Sequence, residues 1–134
     1  MPPPKEELLR RLQAGYEAFN RRDYAAATEW VHPDVVMVSL SPGRTEYRGA
    51  GALRAWMEPD AFESQTSEPL EIEIEGNRAL IRQHTTARGS GSGIEMEVAS
   101  WAVWTFDDQG RVTRIENYLE HEEEEARRAL RSST

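Results

Sequence analysis

The sequence predicts an α+β fold in which a curved antiparallel sheet carries helices on one face, and three observations lead to it. Apolar residues recur at helical spacing before any strand-like segment begins, at Leu8, Leu9, Leu12, Tyr16 and Phe19. The second half instead consists of long alternating segments separated by turn formers. The last two of these, 94–106 and 111–119, meet at Asp107-Asp108-Gln109-Gly110 and are partly apolar on both sides. Met96, Val98, Ser100, Ala102, Trp104 and Phe106 share one side of the first, whereas Ala99, Trp101 and Val103 share the other. A hairpin with two usable faces suits a sheet that shelters a pocket on one side and meets a partner on the other.

The elements follow in chain order. The first helix ends near Asn20-Arg21-Arg22, and Asp23 is placed to cap a short second helix through Ala25, Ala26 and Trp30 that Pro33 stops. Residues 35–40 are β-rich, Ser41-Pro42-Gly43 turns the chain, and 45–48 can pair back. Leu53, Trp56 and Met57 mark one face of a third helix over 49–57, with Pro59 as its stop. Residues 59–68 carry no sustained period and read as an irregular crossing, with room for a lid. Leu70, Ile72 and Ile74 alternate with Glu71, Glu73 and Glu75 in a strand, Gly76-Asn77 turns, and 79–88 returns. Gly89-Ser90-Gly91-Ser92-Gly93 is a flexible hairpin tip between two strands. Residues 122–131 form a charged helix in which Glu123 can meet Arg127, and Glu124 can meet Arg128, at i,i+4.

Residues 1–134 read as a single domain, large enough to bury a core without disulfides or a structural metal. The absence of cysteine excludes thiol chemistry and fits a reducing compartment. No signal-peptide pattern and no span-length apolar run are present, so a cytoplasmic protein without a membrane partner is expected. Sixteen Lys and Arg against twenty-four Asp and Glu leave a net charge of −8, which repels phosphate backbones and makes nucleic acid an unsuitable partner.

Six segments together carry a family resemblance: 16–23 (Tyr-Glu-Ala-Phe-Asn-Arg-Arg-Asp), His32-Pro33-Asp34-Val35, Tyr47-Arg48-Gly49, the 88–93 tip, Val103-Trp104-Thr105-Phe106, and Gly110-Arg111-Val112 through Tyr118-Leu119-Glu120. In order and spacing the chain resembles the SnoaL-like group of the NTF2-like superfamily over nearly its whole length. The resemblance implies a cone: a curved mixed or antiparallel sheet wrapped around the N-terminal helices, with a central, mostly apolar cavity. Members of the superfamily include polyketide cyclases, ketosteroid isomerases, epoxide hydrolases and dehydratases, as well as domains with no chemistry. Fold alone does not choose among them.

By that resemblance Asn117 stands where cyclases and epoxide hydrolases carry a catalytic aspartate on the final strand, and an amide cannot act as a base. Arg82 and His84 resemble the Arg-x-Asp pair of the epoxide hydrolases, with His in the acid's place. Ala102 falls at the position of the isomerases' oxyanion-holding acid and Ser41 near their general base. Tyr16 sits one position from their catalytic tyrosine, which on a helix is a swing of about 100°. The candidate catalytic set is therefore His84 as base, Arg82 as anion holder and Asn117 as hydrogen-bond donor, acting without metal or cofactor. Tyr16, Trp56, Ser100, Ala102, Trp104 and Leu119 are the expected substrate-binding residues. The other reading pairs Arg82 with a sheet glutamate such as Glu73 and makes His84 a hydrogen-bonded core or interface residue. His121 and Glu125 have i,i+4 spacing on a helix, but no third metal ligand accompanies them.

Trp101 and Tyr118 belong to the side opposite the cavity. Exposed there they suit a homodimer built from two sheets back to back, unless the C-terminal helix covers Trp101. Two functions follow: a cofactor-free isomerase, cyclase or hydrolase acting on a small apolar compound, or a non-catalytic ligand-binding or dimerising module of the same fold.

Overall fold

Strand β5 (Glu95–Phe106) organises the molecule because, from Ser100 onward, both of its faces are covered. The computed structural model describes residues 3–40, 43–57 and 62–132. Helices α1 (Lys5–Asn20) and α2 (Tyr24–Ala27) come first, followed by β1 (Val31–Val38), β2 (Glu46–Arg48) and α3 (Ala50–Met57). Then come β3 (Phe62–Glu75), β4 (Arg78–Gly89), β5, β6 (Val112–Leu119), a single 3-10 turn at Glu120–Glu122 and α4 (Glu123–Arg131). The six strands form one curved, unclosed sheet in the order β2-β1-β6-β5-β4-β3. All pairs are antiparallel except β1 with β6, so the sheet is mixed.

The inner face of the sheet meets α1 and α3. Leu8, Leu12, Val35, Met37, Leu53, Ile81 and Phe106 are all buried there, in a single cluster. Seven such side chains out of water, at about 1.5–3 kcal/mol each, are the main source of cohesion between helix layer and sheet. The outer face holds a second cluster, in which Leu80, Trp101, Val103 and Tyr118 pack under Ala126 and Leu130 of α4. The amphipathic C-terminal helix thus covers the aromatic pair, and the role sequence reasoning offered to a second subunit is filled within the chain. Trp101 Nε1–H donates to the carbonyl of Glu120 at 3.1 Å, and the Arg127 guanidinium lies 5.6 Å from the Trp101 ring while pairing with Glu123 and Glu73, each at 2.7 Å.

Three local expectations are corrected. Helix α2, capped as expected by Asp23 through the Ala26 N–H, ends at Ala27, so Trp30 lies outside it. Pro33 does not stop a helix but sits inside β1, where the register with β6 shifts between Val31 and Val36; an irregularity of this kind tolerates a residue that cannot donate to the ladder. Residues 62–68, expected to be an irregular crossing, are the start of β3 and pair with β4 from Phe62 opposite Gly89 onward, while 59–61 lie outside the described residues. The missing period has a physical cause: Gln65 and Ser67 face the cavity, so polar residues occupy the inward positions of this strand. Asn20 at the end of α1 ties down the free edge of β3, donating to the Ser67 carbonyl at 2.8 Å and accepting from its N–H at 2.7 Å.

Candidate functional site

Between the helices and the inner face of the sheet a cavity of about 420 Å³ remains. Its walls come from α1, α2, α3 and the inner residues of β1, β3, β4, β5 and β6. Trp104 projects from β5 and stacks on Tyr16 of α1, with ring centroids 5.6 Å apart and planes 15° from parallel. Phe106 stands beside Trp104 at 6.4 Å. Met37, Ala102 and Trp56 add further apolar wall.

A chain of hydrogen bonds crosses this wall. The Tyr16 phenol donates to Gln83 Oε1 at 2.5 Å, and Gln83 Nε2 donates to Ser100 Oγ at 3.1 Å. Gln83 and Ser100 are direct cross-strand partners, so the second bond follows from the β4–β5 register; the first depends on α1 lying across the sheet. Burial pushes the Tyr16 phenol far above its ordinary value of 10.0, which keeps it protonated and makes it a donor rather than a base. One row along, Asn117 of β6 sits opposite Ala102 and is 5% exposed. Its Nδ2 donates to the Val38 carbonyl at 2.9 Å and lies 3.4 Å from Met37 Sδ, which orients the amide with the nitrogen toward β1. Arg44 completes the surroundings, donating to the backbone carbonyl of Asn117 at 2.7 Å while its guanidinium lies 4.5 Å from the Tyr118 ring.

The structure divides the expected catalytic set. Asn117 lines the cavity, but Arg82 and His84 do not. They sit on β4 opposite Trp101 and Ala99, with Leu80 on the same side of the strand, and therefore on the outer face. Arg82 lies 3.8 Å from Glu71 and 3.7 Å from Glu120, and His84 Nε2 lies 3.9 Å from Glu97 at a side-chain exposure of 36%. The alternative pairing of Arg82 with a sheet glutamate is close to what is found, although the partner is Glu71 and Glu73 goes to Arg127. Period two correctly places Arg82 and His84 on one side; only the cover of the outer face by α4 decides which side that is.

Tyr16, Trp56, Ser100, Ala102 and Trp104 line the cavity, Trp56 at its mouth with 39% exposure. Leu119 does not; it ends β6, and its N–H donates to Glu122 Oε1 at 2.8 Å. Ser41 lies outside the described residues. Gln83 was missed. It stands between two ionisable residues that drew attention, and the signal available was its parity with Ala79, Ile81, Thr85 and Ala87. Of the charged residues, only Arg11 and Glu29 reach the lining among those described. Arg11 is already engaged, stacked 3.7 Å over Trp30 and donating to the carbonyls of Gln109 and Gly110. No group of three His, Asp or Glu side chains able to hold a metal ion occurs among the described residues.

A mixed sheet curled around its helices to enclose a lumen is the architecture of NTF2-like proteins. Within that superfamily the chain belongs to the SnoaL-like domain family, which it matches over residues 12–115. No curated protein matches it significantly. Among solved structures it is similar to an NTF2-like protein of unknown function from Burkholderia pseudomallei (20% identity, TM-score 0.74, covering 94% of this chain and 98% of that one). It is also similar to TerC co-crystallised with polyporic acid (21% identity, TM-score 0.72, covering 88% and 95%). A Mycobacterium tuberculosis protein in complex with estradiol-17β-hemisuccinate superposes equally well (16% identity, TM-score 0.73, covering 84% and 93%). Identities this low show a common fold. No helix among the described residues is long and apolar enough to cross a membrane.

Proposed function

We propose that this protein binds a small, largely apolar organic molecule in the lumen of its cone. The observation that carries the reading is the cavity of about 420 Å³ walled by Trp104, Phe106, Met37 and Ala102 and interrupted by a few fixed polar groups, of which only Arg11 and Glu29 are charged among the described residues, the composition of a small-molecule site. Two structural neighbours were solved with polyporic acid and with estradiol-17β-hemisuccinate, which supports the binding of a small organic molecule by a cone of this kind.

Binding without chemistry is the version the lumen favours. Tyr16, Gln83, Ser100 and Asn117 are neutral, and a phenol held protonated by burial cannot serve as a general base near neutral pH. The acid–base proposal built on His84 and Arg82 requires both on the inner face, whereas the cavity lining includes neither.

Calorimetric titration with estradiol and with polyporic acid tests the reading. Saturable binding with a negative heat-capacity change is expected, since apolar surface leaves water on both partners. Absence of saturable binding for every apolar ring compound tried would reject it. A cytoplasmic location and a homodimer belong to the same proposal. The dimer would use the part of the outer face that α4 leaves open, around Arg82, His84, Glu71 and Glu97, and light scattering on the purified chain decides between monomer and dimer.

A further inference from the structure

The polar groups of the lumen have a definite polarity. Tyr16 donates to Gln83 and Gln83 donates to Ser100, so Ser100 Oγ receives a hydrogen bond from the protein while its own proton has no protein acceptor among the described residues. Ser100 is 4% exposed and lines the cavity, so that proton is free to turn toward a ligand there. Donation from Gln83 polarises the hydroxyl and strengthens it as a donor. Asn117 has the opposite character. Its Nδ2 is occupied by the Val38 carbonyl and Met37 Sδ, which leaves Oδ1, an acceptor, without a protein donor on a side chain 5% exposed.

The two groups are near each other. Leu119 is the direct partner of Ser100 across β5 and β6, and Asn117 is two residues before Leu119, the diagonal relation that separates residues by about 7–8 Å. Both side chains project from the same concave face, with Ala102 between them supplying no bulk. The Ser100 hydroxyl proton and Asn117 Oδ1 have no partner in the hydrogen bonds of the described residues, and both residues line the cavity, so one ligand bearing the complementary pair can engage both.

We infer that the ligand of this cavity carries a neutral carbonyl oxygen and a hydroxyl on the same or neighbouring carbons of a hydrophobic skeleton, an α- or β-hydroxy ketone, with the carbonyl accepting from Ser100 Oγ and the hydroxyl donating to Asn117 Oδ1. Asn117 is then a hydrogen-bond acceptor toward the ligand, the reverse of the donor role its sequence position suggests. A ligand carboxylate at this point is disfavoured, because Oδ1 of Asn117 would repel it and the one cation in the lining among the described residues, Arg11, is held by Trp30 and the carbonyls of Gln109 and Gly110. The inference rests on the lumen being the binding site, and the experiment separates the two.

Four matched probes serve: benzoin, which has both groups; deoxybenzoin, the ketone alone; diphenylethanol, the hydroxyl alone; and bibenzyl, with neither. Affinities for the intact protein come from quenching of tryptophan fluorescence, with calorimetry as a check. Benzoin is expected to bind tightest and bibenzyl weakest, each polar group contributing about fivefold, the equivalent of a net hydrogen bond of about 1 kcal/mol. Ser100→Ala should weaken benzoin and deoxybenzoin by about fivefold and leave diphenylethanol and bibenzyl unchanged. Asn117→Leu should weaken benzoin and diphenylethanol and leave deoxybenzoin unchanged. If that variant does not fold, the comparison of deoxybenzoin with benzoin on the wild-type protein still reads the Asn117 contact. Equal binding of all four probes overturns the donor–acceptor assignment while leaving the apolar lumen standing. Weakening of diphenylethanol rather than deoxybenzoin by Ser100→Ala overturns it too, because Ser100 would then be an acceptor. Failure of all four to bind rejects the lumen as a binding site and the ligand class with it.

Discussion

Tyr16 on α1 and Trp104 on β5 lie ring on ring at 5.6 Å, 88 positions apart in the chain, and the same phenol donates to Gln83 on β4. Helix and sheet are thereby joined in the wall of the cavity by one residue that both packs and hydrogen-bonds. The two contributions separate by substitution. Tyr16→Phe keeps the stack and is expected to cost about 1 kcal/mol through the lost hydrogen bond, whereas Tyr16→Ala should cost about 3–5 kcal/mol through the lost ring. Urea denaturation of the two variants measures both numbers, and equal losses would mean that the ring packing is unimportant.

The outer cluster makes a second expectation. Leu130 is 4% exposed and closes the packing of α4 over Trp101 and Val103, so Leu130→Ala should destabilise by about 2–4 kcal/mol. Removing residues 120–134 should expose Trp101 and Tyr118 and drive self-association, readable as a rise in light scattering and a red shift of tryptophan emission. A truncated chain that stays monomeric with unchanged emission would show that α4 is not the cover.

Arg82 and His84 give a negative expectation with equal force. Both lie on the face away from the lumen, so His84→Ala and Arg82→Ala should leave ligand affinity within twofold of wild type. A tenfold loss on either substitution would return these residues to the site.

Acid sensitivity centres on the β5–β6 turn. The Asp107 carboxylate is held below its ordinary value of 3.8: burial pushes it up, but the N–H groups of Arg111 and Gln109, each 2.9 Å from Oδ1, and the Arg111 guanidinium outweigh that push. A carboxylate with a depressed folded value contributes stability that is fully present above its unfolded value and disappears as pH falls through the folded one. Asp107→Ala should therefore lower stability at neutral pH and flatten its decline below about pH 4, measured as unfolding midpoint against pH.

At the alkaline end Tyr118 acts in the opposite sense. Burial first, and then the charge of Glu116 to which its hydroxyl donates at 3.0 Å, push the phenol up to about 12. The folded chain prefers the neutral phenol, so this contribution holds below pH 10 and is lost as pH rises toward 12. Tyr118→Phe should be less sensitive between those values than wild type, and an identical alkaline limb in both proteins would remove Tyr118 as its cause.

Much of this architecture was legible in the chain itself. Helical spacing from Leu8 to Phe19, alternation along 94–106 and the Asp107–Gly110 turn are patterns over neighbouring residues, and local backbone geometry turns them directly into a helix, a two-faced strand and a hairpin. The same logic placed Ser100, Ala102 and Trp104 on one side of β5. It misread 62–68 because Gln65 and Ser67 line a cavity, where an inward position need not be apolar.

Sequence by itself determined which residues share a side of each strand and which helices are amphipathic, since both depend on spacing along a single segment. It left open which side faces inward for β4, where Leu80 and Ile81 are both apolar and both buried. Only the tertiary structure decided that: α1 and α3 pack on the face of Ile81 and Gln83, α4 on the face of Leu80 and Arg82, and the imidazole and guanidinium leave the site as a result. The physical reason is that a strand buried on both faces has no hydropathy contrast to orient it, so the cover supplied by distant segments makes the choice.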